Sequence, residues 1–186
     1  MISFEANGIF PRLEVRDITE PSLFNRKIEV DANDEDGRLR MKGSLLDTRM
    51  GEPLHGIEVE MIVDALEGSI LEISGSFAVW PLEECKQGLQ ALQELVGAKI
   101  MPGFTDFVKS TVGSNRGCTH MAALIMTMGN VSVQGRGAWL RKYIPNDTDL
   151  AHAMEHSAKA LGLVDSCVSW ALDGPILTRY RQGLEK

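Results

Sequence analysis

The run Gly117-Cys118-Thr119-His120 places a soft thiol two residues before an imidazole, directly ahead of the apolar stretch Met121 to Met126. On a regular helix, residues two apart do not face each other. The pair converges most easily at a helix entrance, where the backbone is not yet helical. Gly117 before it and Thr119 as an N-cap fit such an entrance. A thiol there has its thiolate favoured by the partial positive charge of the helix end. These residues suit a metal-ligand pair or an activated nucleophile. The plainer alternative is a buried cysteine beside a histidine that bonds the backbone.

Other residues could join them. His55, in Pro53-Leu54-His55-Gly56, falls in an expected loop before a strand, where a histidine beside glycine is sterically free to ligate. Cys85 shares an apolar helical stripe with Leu82, Leu89 and Leu92, so it is either a site thiol or a small core hydrophobe. Cys167 has no recognisable partner and reads as structural. His152-Ala-Met-Glu155-His156 matches the inverted zinc-protease pattern H-x-x-E-H. That chemistry needs a third ligand well downstream, and only Asp165, Asp173 and Glu185 follow, so a solvated helix face is the better reading. Asp31 to Gly37 fails as a calcium loop because Asp36 stands where the glycine belongs. Gly135-Arg136-Gly137 lacks the lysine and the spacing of a phosphate loop.

Elements must position these side chains. Arg26 to Asp31 alternates as a short strand, and Asp36-Gly37 is a hairpin signal. Arg38 to Asp47 forms a second strand, and Arg49 to Pro53 a loop. Ile57, Val59, Met61 and Val63 occupy every second place of a half-buried third strand. Ser69 to Val79 makes a fourth, with Leu71, Ile73, Phe77 and Val79 on one face. After Pro81 the period changes. Leu82, Cys85, Leu89, Leu92 and Val96 recur at helical spacing, and Gly97 stops the helix. A short helix runs from Phe104 towards Gly113, and another from Cys118 to Met128. Gly129, Gly135 and Gly137 leave the next stretch open. Asp147 to Leu161 is an amphipathic helix, and a short helix or strand follows from Pro175. Strands first and helices after predict a single α+β domain over residues 1–186, mainly β to residue 80 and mainly helical from 81, with an antiparallel meander of three to four strands packed on the helices.

The bulk numbers narrow the partners. The apolar fraction of 44% supports a real core, and a net charge of −7 argues against nucleic acid or an anionic membrane. No signal-peptide pattern opens the chain, and no run of about 18 apolar residues spans a bilayer. Three widely spaced cysteines suit a reducing cytoplasm better than a disulfide framework. The acidic surface and apolar strands leave room for a homodimer or a protein partner.

An ordered set of short elements runs from Arg26 to Gln134. It comprises Arg26-Lys27, Asp36-Gly37-Arg38-Leu39, Leu46-Asp47-Thr48, Leu54-His55, Pro81-Leu-Glu-Glu-Cys85, Gly97-Ala-Lys-Ile100-Met-Pro-Gly103-Phe104 and Gly117-Cys-Thr-His120-Met121. The set resembles a bacterial family known only as a domain of unknown function, in which leucine is usual at the place of Met121. The resemblance implies that His55, Cys85, Cys118 and His120 belong to one shared site, and it implies no activity. The order of strands, helix and cysteine-led long helix is also similar, at the level of fold, to iron–sulfur cluster scaffold proteins. Two of their three cysteines have no obvious counterpart here.

The first functional expectation is therefore a metal-binding protein, with Cys118, His120, Cys85 and His55 as a Cys2His2 set for zinc or iron. The alternatives are an enzyme using Cys118 as nucleophile in acyl or thiol chemistry, with His120 or His55 as base, and a non-catalytic binding module.

Overall fold

The structure, a computed structural model, describes residues 22–143, 158 and 161–184. The alternating segments form β1 (Phe24–Glu35), β2 (Arg38–Arg49), β3 (Glu52–Asp64) and β4 (Ile70–Val79). They pair antiparallel in one sheet of order β1-β2-β3-β4, the expected meander. Helices follow, so the α+β class holds. Asp36 and Gly37 both take positive φ, 51° and 84°. That is the two-residue turn whose twist suits a right-handed hairpin. Met50 and Gly51 repeat it with the same angles. The loop expected over Arg49 to Pro53 thus shrinks to two residues, and β3 begins at Glu52. His55 consequently lies in a strand, not in a loop.

One face of the sheet is the core. Leu39, Met41 and Leu45 of β2 and Ile57, Val59, Met61 and Val63 of β3 are buried there. Leu71 departs from its expected side. A register shift at Ile62/Val63 pairs Val63 with Ile70, so Ile70 is buried and Leu71 is exposed. Across this face lies α2 (Thr119–Arg141), presenting Met121, Leu124, Ile125 and Met128. The helix runs on through the glycines that left its length open. A Cβ at Gly129 would lie 2.7 Å from the Phe104 ring, and one at Gly135 would lie 3.1 Å from Ala32 and Leu39. Bare backbone at these points lets the helix press close to its neighbours.

The segment after Pro81 is wound as a 3-10 helix, Glu83–Leu95, rather than an α-helix. Three residues per turn stack positions i and i+3, so Leu92 and Leu95 are buried while Leu82 and Val96 are exposed. Among the described residues, α1 spans Phe104–Thr111 and α3 spans Pro175–Leu184, preceded by a 3-10 turn at Val168–Trp170. The expected Asp147–Leu161 helix, with His152 and His156, falls almost wholly outside the described residues. Among the described residues, no helix is long and apolar enough to cross a membrane.

Candidate metal centre

The register of the sheet sets three chemically active side chains in a row. Arg26 on β1 pairs with Asp47 on β2, and Asp47 pairs with His55 on β3. All three share the core face, because they keep the parity of Val30, Leu45 and Ile57. Beyond the row the ladder shifts: Thr48 opposes Pro53, and Leu54 is the extra residue. Such a bulge re-aims the side chains beside it. His55 is thereby directed along the row towards Asp47.

The first turn of α2 lies over this row. Cys118, not Thr119, is the N-cap residue, in extended conformation (φ −140°, ψ 123°). Its amide donates to the Val112 carbonyl at 2.7 Å. Gly117 must be glycine here, since a Cβ would stand 2.0 Å from that same carbonyl oxygen. The non-helical backbone lets Cys118 and His120 converge as their spacing requires: Cys118 Sγ lies 3.7 Å from His120 Nδ1.

Asp47 is the hub and is fully buried. Arg26 grips it with two donors, Nε to Oδ1 at 2.7 Å and Nη2 to Oδ2 at 2.8 Å. A carboxylate can only accept, so His55 donates its Nδ1 proton to Oδ2, at 3.2 Å. His120 Nε2 stands 3.8 Å from that oxygen. The two imidazoles stack with centroids 3.8 Å apart and planes 27° from parallel.

The electrostatics follow from this packing. Burial alone would raise the Asp47 carboxyl. The bonds and charge of Arg26, with His120 and His55 adding to them, outweigh that and hold it below the usual carboxylate range. For His120, burial comes first, then the neighbouring His55 and Arg26. Together they overcome the pull of Asp47 and lower its pKa, which favours the neutral ring with a lone pair to offer. The Arg26 guanidinium is held more firmly protonated, chiefly by its bonds to Asp47.

Asp47, His55 and His120 each offer a ligand atom, and these atoms all lie within 4.8 Å of one another. Of the residues expected from sequence, His55 and His120 stand in this group, and Cys118 touches it through His120. Cys85 stands outside it, half-buried and free of any disulfide. The 3-10 segment that carries it does reach the site: a Cβ at Gly88, one 3-10 turn from Cys85, would lie 3.3 Å from Cys118 Cβ. Cys167 is exposed.

Sequence spacing gives Asp47 and Arg26 no role beyond the motifs Leu46-Asp47-Thr48 and Arg26-Lys27. A signal for Asp47 existed. Leu39, Met41 and Leu45 set the parity of β2, and Asp47 places an acid on that inward face. Two wider concavities lie away from this corner. One, of about 250 Å³, is on the outer sheet face by Glu29, Lys42 and Glu58. The other, of about 600 Å³, lies between α2 and the segment from Leu161 to Trp170.

Fold and site together define an α+β protein with a carboxylate–bis-imidazole cluster at one end of a four-stranded sheet. Residues 24–134, more than half of the chain, match the family described as "Protein of unknown function (DUF2889)", and the chain belongs to that family. The match spans β1 to β4, the 3-10 segment, α1 and most of α2, and so contains the whole cluster. No curated protein and no solved structure matches the chain significantly.

Proposed function

We propose that this protein binds one transition-metal ion, zinc or iron, at the corner formed by Asp47, His55, His120 and Cys118. The observation that carries this reading is the convergence of the Asp47, His55 and His120 ligand atoms from three separate elements to within 4.8 Å. Two imidazoles beside a thiol and a carboxylate suit zinc or ferrous iron, whichever of the two acids binds the ion. An iron–sulfur cluster is held chiefly by cysteine thiolates, and a single thiol beside two imidazoles suits it poorly. The thiol needs a reducing compartment, for which the cytoplasm serves. The net charge of −7 leaves nucleic acid out of the proposal. The test is elemental mass spectrometry on tag-free protein, wild type beside His120→Ala. About one zinc or iron per chain, lost in the variant, supports the reading. A metal-free wild type prepared under metal-replete conditions overturns it.

One geometric detail favours a second reading. Cys118 Sγ faces His120 Nδ1, and the carboxylate lies on the other side of the same ring. Thiol, imidazole and carboxylate in that order form a nucleophile, a base and an orienting acid. Fast iodoacetamide labelling confined to Cys118, slowed by His120→Ala, would favour this enzyme. A rate equal to that of free cysteine would rule it out.

A further inference from the structure

We propose that the ion sits at the Cys118 end of the stacked imidazoles, bound by Cys118 Sγ, His120 Nδ1 and His55 Nε2, and that Asp47 is a positioning residue rather than a ligand. This rests on the metal reading above.

The lone pairs of Asp47 are largely committed. Oδ2 already accepts from Arg26 Nη2 at 2.8 Å and His55 Nδ1 at 3.2 Å, while Oδ1 accepts from Arg26 Nε at 2.7 Å. Each carboxylate oxygen offers about two acceptor sites, so Oδ2 has none to spare. A dication on that oxygen would also lie against the guanidinium that neutralises it.

The same carboxylate selects the tautomers. A ring nitrogen facing Asp47 keeps its proton, which leaves the lone pair on the opposite nitrogen. For His55 that is Nε2, since Nδ1 donates to Asp47. For His120 it is Nδ1, since Nε2 is the nitrogen turned towards Asp47. His120 Nδ1 is the atom 3.7 Å from Cys118 Sγ. Zinc bonds of about 2.0–2.1 Å to nitrogen and 2.3 Å to sulfur put neighbouring tetrahedral ligands roughly 3.4–3.6 Å apart. The observed thiol–imidazole spacing is close to that. The 3.8 Å stack keeps the His55 ring beside His120, and the ring must turn out of the face-to-face stack to bring Nε2 to the same ion.

Asp47 then performs a common outer role: a carboxylate that receives the second N–H of a metal-bound histidine and fixes its orientation. Arg26 in turn holds Asp47. Three protein ligands leave a fourth tetrahedral position for water or a substrate atom, the pattern of catalytic rather than structural zinc. The half-exposed edge of His120 gives that position access to solvent.

Cobalt(II) titrated into the metal-stripped full chain is the test, read by absorbance. The expected result is one equivalent bound with a sulfur-to-cobalt charge-transfer band in the near ultraviolet. Cys118→Ser, at a half-buried position, should keep its far-ultraviolet circular dichroism and lose the band. Asp47→Asn should keep the band while affinity falls about 10- to 100-fold. One equivalent bound without the band overturns the inference and leaves the metal reading intact. So does a band that survives Cys118→Ser, or a folded Asp47→Asn that takes up no cobalt. No cobalt uptake by the wild type overturns both. If Asp47→Asn does not fold, the wild-type band and its loss in Cys118→Ser still decide where the ion sits, and Arg26→Gln, which loosens the hold on Asp47, should keep the band at weaker affinity, its loss overturning the inference.

Discussion

Two buried charges lie towards opposite ends of the same sheet, and their surroundings differ. Asp47 is fully buried and meets a guanidinium and two imidazoles. Arg136, on α2, is 2% exposed and donates to backbone, from Nε to the Ala65 carbonyl at 3.1 Å and from Nη2 to the Leu66 carbonyl at 2.8 Å. A Cβ on Gly68 would lie 2.4 Å from Nη1, so the turn after β3 is moulded around this side chain. Burial lowers the Arg136 pKa, with Asp64 and Glu67 opposing from a distance, yet an arginine remains charged throughout the working pH range. Both ends solve the problem of a buried charge. One does it with fixed carbonyl dipoles and locks the fold. The other does it with groups that can exchange protons or accept a metal.

The comparison can be broken by mutation. Arg136→Met strips partners from one buried and one part-buried carbonyl and should lower the unfolding free energy by about 1–3 kcal/mol. Urea denaturation measures this, and metal stoichiometry at low temperature should stay unchanged. If Arg136→Met lost the metal while stability held, the two ends would not be separable. Gly117→Ala acts at the other end. Its Cβ would collide with the Val112 carbonyl, so it should cost roughly 1–3 kcal/mol by overpacking and displace Cys118. Both the urea midpoint and the bound metal should fall.

Arg26→Gln leaves Asp47 buried without its cation. Arg26 is itself one-third exposed, so water replaces part of what is lost, and a loss of about 1–2 kcal/mol is expected. A neutral result would mean that the histidines alone sustain the carboxylate. His120→Ala should change the stability of metal-free protein by less than about 1 kcal/mol. Chelation should then lower the melting temperature of the wild type and not of the variant, because only a folded state with a site gains from bound ion.

The smallest effect belongs to the surface of the Arg136 end. Lys142 Nζ reaches Asp34 Oδ2 at 2.6 Å, joining the end of α2 to β1. The lysine's bond to Asp34 raises its pKa, and the same bond lowers that of the aspartate. The contribution is therefore present between the two ordinary values. It fades as pH falls through the lowered Asp34 value or rises through the raised Lys142 value. In exposed positions this is a minor term. Asp34→Asn should leave the melting curve at neutral pH almost superimposable on wild type, and a large shift would show that α2 depends on this tie.

Periodicity predicted the meander and the helices that open at Phe104 and after Cys118, because burial of one face imposes period two on a half-covered strand and about 3.6 on a helix. It erred where local backbone chemistry intervened. The Met50-Gly51 turn is tighter than its polar surroundings suggest, which moved His55 into β3. The bulge at Ile62/Val63 exchanged Ile70 for Leu71. The three-residue stacking of Glu83–Leu95 cannot be told from an α-helix by apolar spacing over so few turns. The glycines of α2 leave the stretch after Met128 open to sequence reading because glycine is a poor helix former in isolation, but tertiary contact at Gly129 and Gly135 offsets that cost.

The sequence by itself therefore determined the class of fold, the helix entrance at Cys118-Thr119-His120, and two of the three residues in the convergent group. Those properties rest on local spacing, which the chain carries along its length. Only the tertiary structure decided that Arg26, Asp47 and His55 stand in one row and that Cys85 lies outside the group. Register across a sheet depends on turn length and on single-residue bulges, and a shift of one residue turns each side chain to the opposite face.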